Sequence, residues 1–235
     1  MKQLIGGSSL ATVFIYNNYT GVVEKYYRGL LEAMPYVTGR TMTVGEFRAN
    51  SNTNIVWTDT RMIESWNAFR SGWGNPLFIG YAFKRIWEGG HTGQSQHYAG
   101  VALDVGHTLS ATERERLRRY AVNSGLWSYV EPASLAPRWV HVDDRYGPSA
   151  CAAGGFPPLS LGSKGVYVFV LQDALTALGF TAGGLDGNYG YGTRSAVSSF
   201  QSNQGLPVNG IVDCVTWQRL TARANGIGLT PTVIR

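Results

Sequence analysis

Residues 95–104 read Ser95-Gln96-His97-Tyr98-Ala99-Gly100-Val101-Ala102-Leu103-Asp104, and residues 138–144 read Arg138-Trp139-Val140-His141-Val142-Asp143-Asp144. Two imidazoles and a carboxylate, His97, His141 and Asp104, make a ligand set that suits a catalytic zinc ion and leaves its fourth position to water. Two ligands close in sequence and a third on a later strand are the usual way to assemble such a site. Gly100 lets the chain turn tightly between the first two. A His-x6-Asp pair alone carries little weight; the two stretches together carry the argument.

Working outward, the segments around these stretches alternate between strand and helix signals. Thr12–Tyr16 and Val22–Arg28 flank Asn-Asn-Tyr-Thr-Gly and predict a hairpin. Met62, Ile63, Trp66 and Phe69 share one helical face. Pro76–Tyr81 reads as a buried strand, His91–Gly93 as loop and Val101–Val105 as a short strand. Ser110 and Glu113 form a capping box that opens a helix closed by Gly125. Strands at Trp127–Glu131 and Arg138–Asp143 follow, joined by Pro-Ala-Ser-Leu-Ala-Pro. Strands and helices interleave without strict repetition, so the fold class is α+β.

Residues 148–158 are rich in Gly, Pro, Ser and Ala and lack a hydrophobic period, which marks a linker between two independently folding parts, 1–147 and 159–235. Beyond it the chain is helical. Val168, Leu171, Leu175 and Leu178 define a first helix; Thr193 caps a second, carrying Ala196, Val197 and Phe200; Thr216–Ala224 form a third. Asp186-Gly-Asn-Tyr-Gly and Val208-Asn-Gly-Ile-Val-Asp occupy matching positions after the first two helices. A three-helix bundle results.

Apolar residues make up 44% of the 235 residues and charged ones 15%, enough apolar mass for a core and no sign of disorder. The net charge of +5 is spread over both parts, with no basic tail or helix of the kind that binds nucleic acid, and it suits an anionic polymer. No apolar run is long enough for a transmembrane helix. The N-terminal stretch, residues 1–20, reads as the first strand rather than a signal peptide, so any export route lies outside what the sequence displays. Cys151 and Cys214 lack metal-binding spacing; one disulfide and two unpaired thiols are both open readings.

The pattern S-x-H-x-x-G-x-A-x-D, followed by W-x-H-x-D with His141 37 residues after Asp104, resembles the zinc D-alanyl-D-alanine carboxypeptidases, a family that includes vancomycin-resistance carboxypeptidases, phage endolysins and the hedgehog fold. The resemblance covers about residues 58–146, the expected core of a hedgehog/D,D-peptidase-like catalytic domain. It implies one zinc per chain on His97, Asp104 and His141. Relatives often place a carboxylate three residues before the last ligand; Arg138 stands there in this chain. Glu131, ending Trp127-Ser-Tyr-Val-Glu131, resembles the acid of hedgehog-like members and is the expected general base. Asp143, on the same strand face as His141, is the runner-up, with a supporting role for the ligand as its other reading. Asp144 faces the other way, toward solvent. Relatives also carry an Arg in an S-G-Y-R turn; Ile79-Gly-Tyr-Ala82 lacks it, and Lys84 or Arg85 would supply the cation. Ser95, Gln96 and Trp139 are the remaining substrate contacts. His91 would line the cleft or serve the loop, and His107 would be solvated or start the next helix.

The C-terminal part carries L-x-x-G-x-x-G from Leu159, V-x-x-L-Q-x-x-L from Val168, D-G-x-x-G-x-x-T-x-x-A-V-x-x-F-Q from Asp186, G-L-x-x-x-G-I-V from Gly205 and T-W-x-x-L from Thr216. These resemble the small peptidoglycan-binding domain found beside wall hydrolases; Asp213 departs from the usual Gly. Asp186, Tyr189, Tyr191 and Arg194 are the candidate wall contacts. The combined resemblance implies a monomeric zinc metallopeptidase acting outside the cell at the wall, on D,D-carboxypeptidase or endopeptidase bonds of peptidoglycan, with no nucleic-acid partner. Two alternatives share the pattern: a wall-binding protein that kept the metal fold without catalysis, and a phage-type endolysin.

Overall fold

The structure, a computed structural model, describes residues 10–227. The first nine residues of the stretch read as an N-terminal strand lie outside it, as do residues 228–235. Strand β1 (Ala11–Asn17) alternates buried Ala11, Val13 and Ile15 with half-buried partners, as a strand with one face on the core must. The predicted turn follows: Asn17 Oδ1 accepts from the Tyr19 and Thr20 N–H groups, and β2 (Val22–Arg28) returns antiparallel, with Ala11 opposite Arg28. Helix α1 (Val44–Arg48), outside the elements expected from the sequence, opens on a Thr43/Glu46 capping box. Strand β3 (Ile55–Asp59) is likewise an addition to the expected elements. It lies parallel to β1 and completes a three-stranded sheet of order β2-β1-β3. Asp59 ends it and caps α2 (Thr60–Trp73), its side chain accepting from Met62 N.

The second sheet carries the histidines. Strands β4 (Ile79–Tyr81), β5 (Ala102–Val105), β6 (Tyr129–Val130) and β7 (Val140–Asp143) run antiparallel in the order β4-β5-β7-β6. Each is shorter than its sequence pattern suggested, because loops take over where ladder partners stop. A single turn, α3 (Gln96–Ala99), precedes β5, and α4 (Ala111–Ser124) follows it with the Ser110/Glu113 capping box in place. The fold is α+β.

Three helices follow among the described residues: α5 (Val166–Ala177), α6 (Tyr191–Asn203) and α7 (Cys214–Ala224). Gly190, not Thr193, sits at the cap of α6. Thr193 lies inside the first turn, where its hydroxyl donates to Ala182 O and accepts from Gln172. Two loops repeat one design. Gln172 Oε1 accepts from Asp186 N at 3.0 Å and Gly187 N at 2.9 Å, while Nε2 donates to Asp186 Oδ1, Asn188 O and Thr193 Oγ1. Gln201 repeats this one helix later, accepting from Asn209 N and Gly210 N and donating to Asn209 Oδ1, Ile211 O and Thr216 Oγ1. The matching glycine turns in the sequence are therefore two copies of one glutamine-clamped loop.

Helix α5 is buried along its whole upstream length, from Val166 to Leu175, because it packs against both halves of the chain. Phe169 stacks on Trp57 of β3 with ring centroids 5.5 Å apart. Asp173 pairs with Arg85, and a disulfide joins Cys151 in the linker to Cys214 at the start of α7. The Gly/Pro-rich segment is present where the sequence puts it, yet one hydrophobic core runs through the parts on either side. No helix among the described residues is long and apolar enough to cross a membrane.

Candidate metal centre and wall-binding domain

His97 lies on α3, whose N-cap Ser95 accepts from His97 N. Gly100 then takes the left-handed conformation, φ 71°, and packs so closely on β3 that a Cβ would sit 2.0 Å from Trp57 O. Thr58 Oγ1 donates to Gly100 O at 2.7 Å. This turn sends the chain into β5, where Asp104 is the register partner of His141 on β7. Two neighbouring strands and one glycine-closed turn thus bring the three residues together, with one ligand atom from each lying within 4.8 Å of the others.

The hydrogen bonds fix which atoms face inward. His97 Nδ1 lies 2.7 Å from Ala82 O, so it carries the proton and donates; Nε2 is left with a free lone pair. That Nε2 is buried, has no hydrogen-bond partner and stands 3.4 Å from Asp104 Oδ1. His141 Nδ1 is 2.7 Å from the same oxygen, and its Nε2 is 3.2 Å from Asp143 Oδ2. Asp143, fully buried, is in turn gripped by the Nε and Nη2 of Arg145. A carboxylate holding the outer nitrogen of an imidazole orients the inner one, the arrangement that supports metal-ligating histidines.

The charges follow from these contacts. Burial alone would raise the Asp104 carboxyl, but the hydrogen bond from His141 and the closeness of both imidazoles outweigh it and hold the group well below the usual carboxylate range. Burial would lower His141, yet hydrogen bonds to Asp104 and Asp143 push it up to about 9. Asp143 is likewise drawn down against burial by Arg145 and His141. His91 is pushed down to about 4, first by burial and then by His97. It is therefore a neutral imidazole, stacked on His97 at 4.5 Å between centroids.

His91, His97, Asp104 and His141 line a cleft of about 250 Å³ together with Ser95, Gln96, Glu131, Trp139, Arg145 and Gly155. Glu131 is held beside the ligand strand by its own N–H, which donates to His141 O at 3.0 Å. The buried Arg118 of α4 fixes the loop from Glu131 to Trp139 by donating to Glu131 O, Ala136 O and Trp139 O.

Several expected roles change. Arg85 does not reach the cleft: its guanidinium is committed to Asp173 and lies over the rings of Trp57 and Trp87. Lys84 lies against Gly90 and is not among the lining residues. The cation at the cleft is Arg145, unmarked in the sequence because its only local signal is a position two residues beyond Asp143. Asp144 is buried rather than solvated, accepting from Arg61, Ser65 and Ser128. His107, by contrast, is exposed as expected, and its ring lies nearly parallel to Trp139 with centroids 5.6 Å apart, in the space left by Gly80. In the C-terminal domain Tyr189 is buried with its hydroxyl on Gly210 O, while Tyr191, Asp186 and Arg194 stay exposed.

Residues 164–220 match the family model described as "Putative peptidoglycan binding domain". A spore cortex-lytic enzyme of Bacillus cereus is 42% identical over 59 residues, 25% of this chain and 23% of the relative. The chain thus spans about a quarter of the length of the curated relatives it matches. Among solved structures, the SleB N-terminal domain is 37% identical, with 29% of this chain and 93% of that one covered and a TM-score of 0.28. A Burkholderia AP3 phage endolysin is 41% identical over 28% of this chain and 25% of its own, with a TM-score of 0.27. A peptidoglycan-binding protein from Clostridioides difficile is 35% identical over 29% and 42%, with a TM-score of 0.28. This chain carries a peptidoglycan-binding domain at its C-terminal end, and its relatives are proteins of cell-wall lysis and binding.

Proposed function

We propose that the chain is a zinc peptidase with a hedgehog/D,D-peptidase-like catalytic part, which cleaves peptide bonds of peptidoglycan at the cell wall or spore cortex and is held there by its C-terminal domain. The observation that carries this reading is the buried, partnerless His97 Nε2 facing Asp104 and His141, with both outer nitrogens already tied to Ala82 O and Asp143. A buried polar atom without a partner is costly, and a metal ion would satisfy it. Two imidazoles and one carboxylate fit zinc's preference for nitrogen and oxygen ligands with one position left open. His97, Asp104 and His141 would hold the ion, which would supply a more acidic water and a Lewis acid for the scissile carbonyl.

The chain's own groups supply the rest. Glu131, beside the ligand strand and in the same cleft, takes the proton from the attacking water and returns it to the leaving amine. Arg145 offers a cation to a substrate carboxylate or the developing oxyanion. Ser95 binds the peptide at the rim, the buried Gln96 backs the cleft behind it, and Trp139 forms an apolar wall. The name of a matched relative, a spore cortex-lytic enzyme, supports a lytic role. A second reading, a wall-binding protein with an inert metal centre, is favoured by Arg138 where relatives often place the base.

The deciding experiment follows a labelled muropeptide with and without chelator, alongside elemental analysis. One zinc per chain, hydrolysis that the chelator abolishes, and loss of both in His97→Ala are the expected results. Metal-loaded protein that sediments with walls and leaves the peptide intact is the inert wall-binder; protein purified without chelator and free of metal removes the zinc reading.

A further inference from the structure

Residues 85–98 carry His91, Ser95, Gln96 and His97, and this stretch is tied at intervals to the C-terminal domain and linker. Arg85 Nε donates to Asp173 Oδ2 at 2.8 Å, and Trp87 Nε1 to Asp173 Oδ1 at 3.2 Å. Gly226 N donates to Ile86 O, and Gly89, φ 70°, crosses Gly226 so closely that a Cβ would lie 3.1 Å from its Cα. Asn225 Nδ2, just beyond α7, donates to His91 O at 2.7 Å and to Tyr98 Oη at 3.0 Å. Tyr98 Oη donates to His91 O as well. Gln94 Oε1 accepts from Phe156 N at 2.6 Å, and Tyr167 Oη on α5 donates to Gln96 Oε1 at 3.0 Å. Gly155 of the linker itself lines the cleft.

These anchors fall at Arg85, Ile86, Trp87, His91, Gln94, Gln96 and Tyr98, along the whole loop that presents His97. Three of the anchored residues, His91, Gln94 and Gln96, line the cleft, and the His91 ring stacks on His97. Asn225 thus reaches the ligand through His91, and Tyr167 through Gln96, the residue before it.

We infer that the peptidoglycan-binding domain is also the positioning scaffold of the cleft, with Tyr167 and Asn225 as positioning residues that hold His91 and Gln96, and through them His97. The helices that hold the wall polymer also set the geometry of the site, so wall-binding domain and cleft work as one unit. The inference rests on the proposed function only in treating the cleft as the reacting site.

The test uses the full chain with Tyr167→Phe, Asn225→Ala and Asn225→Asp, the last keeping size while removing the donor. Amide hydrogen exchange is read over 85–99, with α6 and β1–β3 as internal controls, together with zinc affinity and the separation of KM from kcat. Expected are exchange at least tenfold faster over 91–98, unchanged exchange in the controls, unchanged wall sedimentation and a tenfold or greater rise in the zinc dissociation constant, with Asn225→Asp behaving like Asn225→Ala. Exchange over 91–98 at the wild-type rate in all variants overturns the inference. So does faster exchange with wild-type zinc affinity and KM. If the Asn225 variants do not fold, Tyr167→Phe, which removes one oxygen atom, decides. If wild-type protein binds no zinc and cleaves nothing, the proposed function fails while the exchange measurement still decides the scaffold on its own.

Discussion

Gln172, Gln201 and His97 are each 1% exposed, yet they are buried on opposite terms. The two glutamines use both ends of the side chain, accepting from two backbone N–H groups and donating to three oxygens each. His97 uses one nitrogen on Ala82 O and leaves the other without a partner. The contrast extends to the regions around them. Among the described residues, no buried side-chain polar atom beyond residue 159 lacks a hydrogen bond, whereas Tyr81 Oη, His91 Nε2, Gln96 Nε2 and His97 Nε2 at or beside the cleft all do. Closed polar networks specify a fold; the open atoms gathered at this cleft leave it able to take up a ligand.

The largest expected effect lies on the open side. Glu131→Gln keeps size and hydrogen bonding but removes the proton acceptor, and turnover should fall at least about a hundred-fold with zinc retained, the scale of general-base catalysis. Asp143→Asn weakens the support of His141 and should cost about ten- to a hundred-fold in zinc affinity. Steady-state kinetics beside metal titration separates the two. Full turnover in Glu131→Gln, with zinc-loaded Asp143→Asn inactive, reverses their roles.

The next test sharpens the closed side. Gln172→Leu strands the N–H groups of Asp186 and Gly187 and should cost about 2 kcal/mol in denaturant unfolding. His91→Phe keeps the ring and removes an orphaned nitrogen, so without added metal its stability should equal or exceed wild type. Equal losses in the two variants would erase the distinction between the regions.

The smallest effect concerns a group on neither side. Asp59 caps α2 through Oδ1, while Oδ2 is buried without a partner; burial, helped by Asp144, pushes its carboxyl up to about 7. Its folded pKa lies above its unfolded value, so the folded state binds the extra proton in between. Stability from this group is full at low pH, falls as pH rises from about 4 to about 7, and is flat beyond. Asp59→Asn keeps the capping oxygen and should flatten that slope in thermal unfolding at a series of pH values. An unchanged slope assigns the pH dependence elsewhere.

What the sequence disclosed and what it hid divide along contact distance. The Ser110 capping box, the hairpin at Asn17–Gly21 and the turn at Gly100 are local, and each side chain reports its neighbours within a few residues. Asp104 and His141 are far apart in the chain, but their strand patterns imply a shared sheet. Arg85 was misjudged because its partner Asp173 is 88 residues away and gives no sign beside it. β3 was missed because Ile55-Val-Trp-Thr-Asp59 runs without a break into the cap of α2. Tyr189 looked like a surface aromatic because its hydroxyl partner, Gly210 O, belongs to the next repeat.

The Cys151–Cys214 bond closes the backbone between them into a covalent ring that contains α5, α6 and the exposed run Ala152-Ala153-Gly154. In the chain-entropy picture, closing a loop of this size removes about 4 kcal/mol of freedom from the unfolded chain. The ring also changes what a cut means. A protease that nicks the exposed run opens the ring without separating the part that carries the histidine cluster from the C-terminal domain, because the sulfur bridge still spans the break. Detachment needs two events, hydrolysis and reduction.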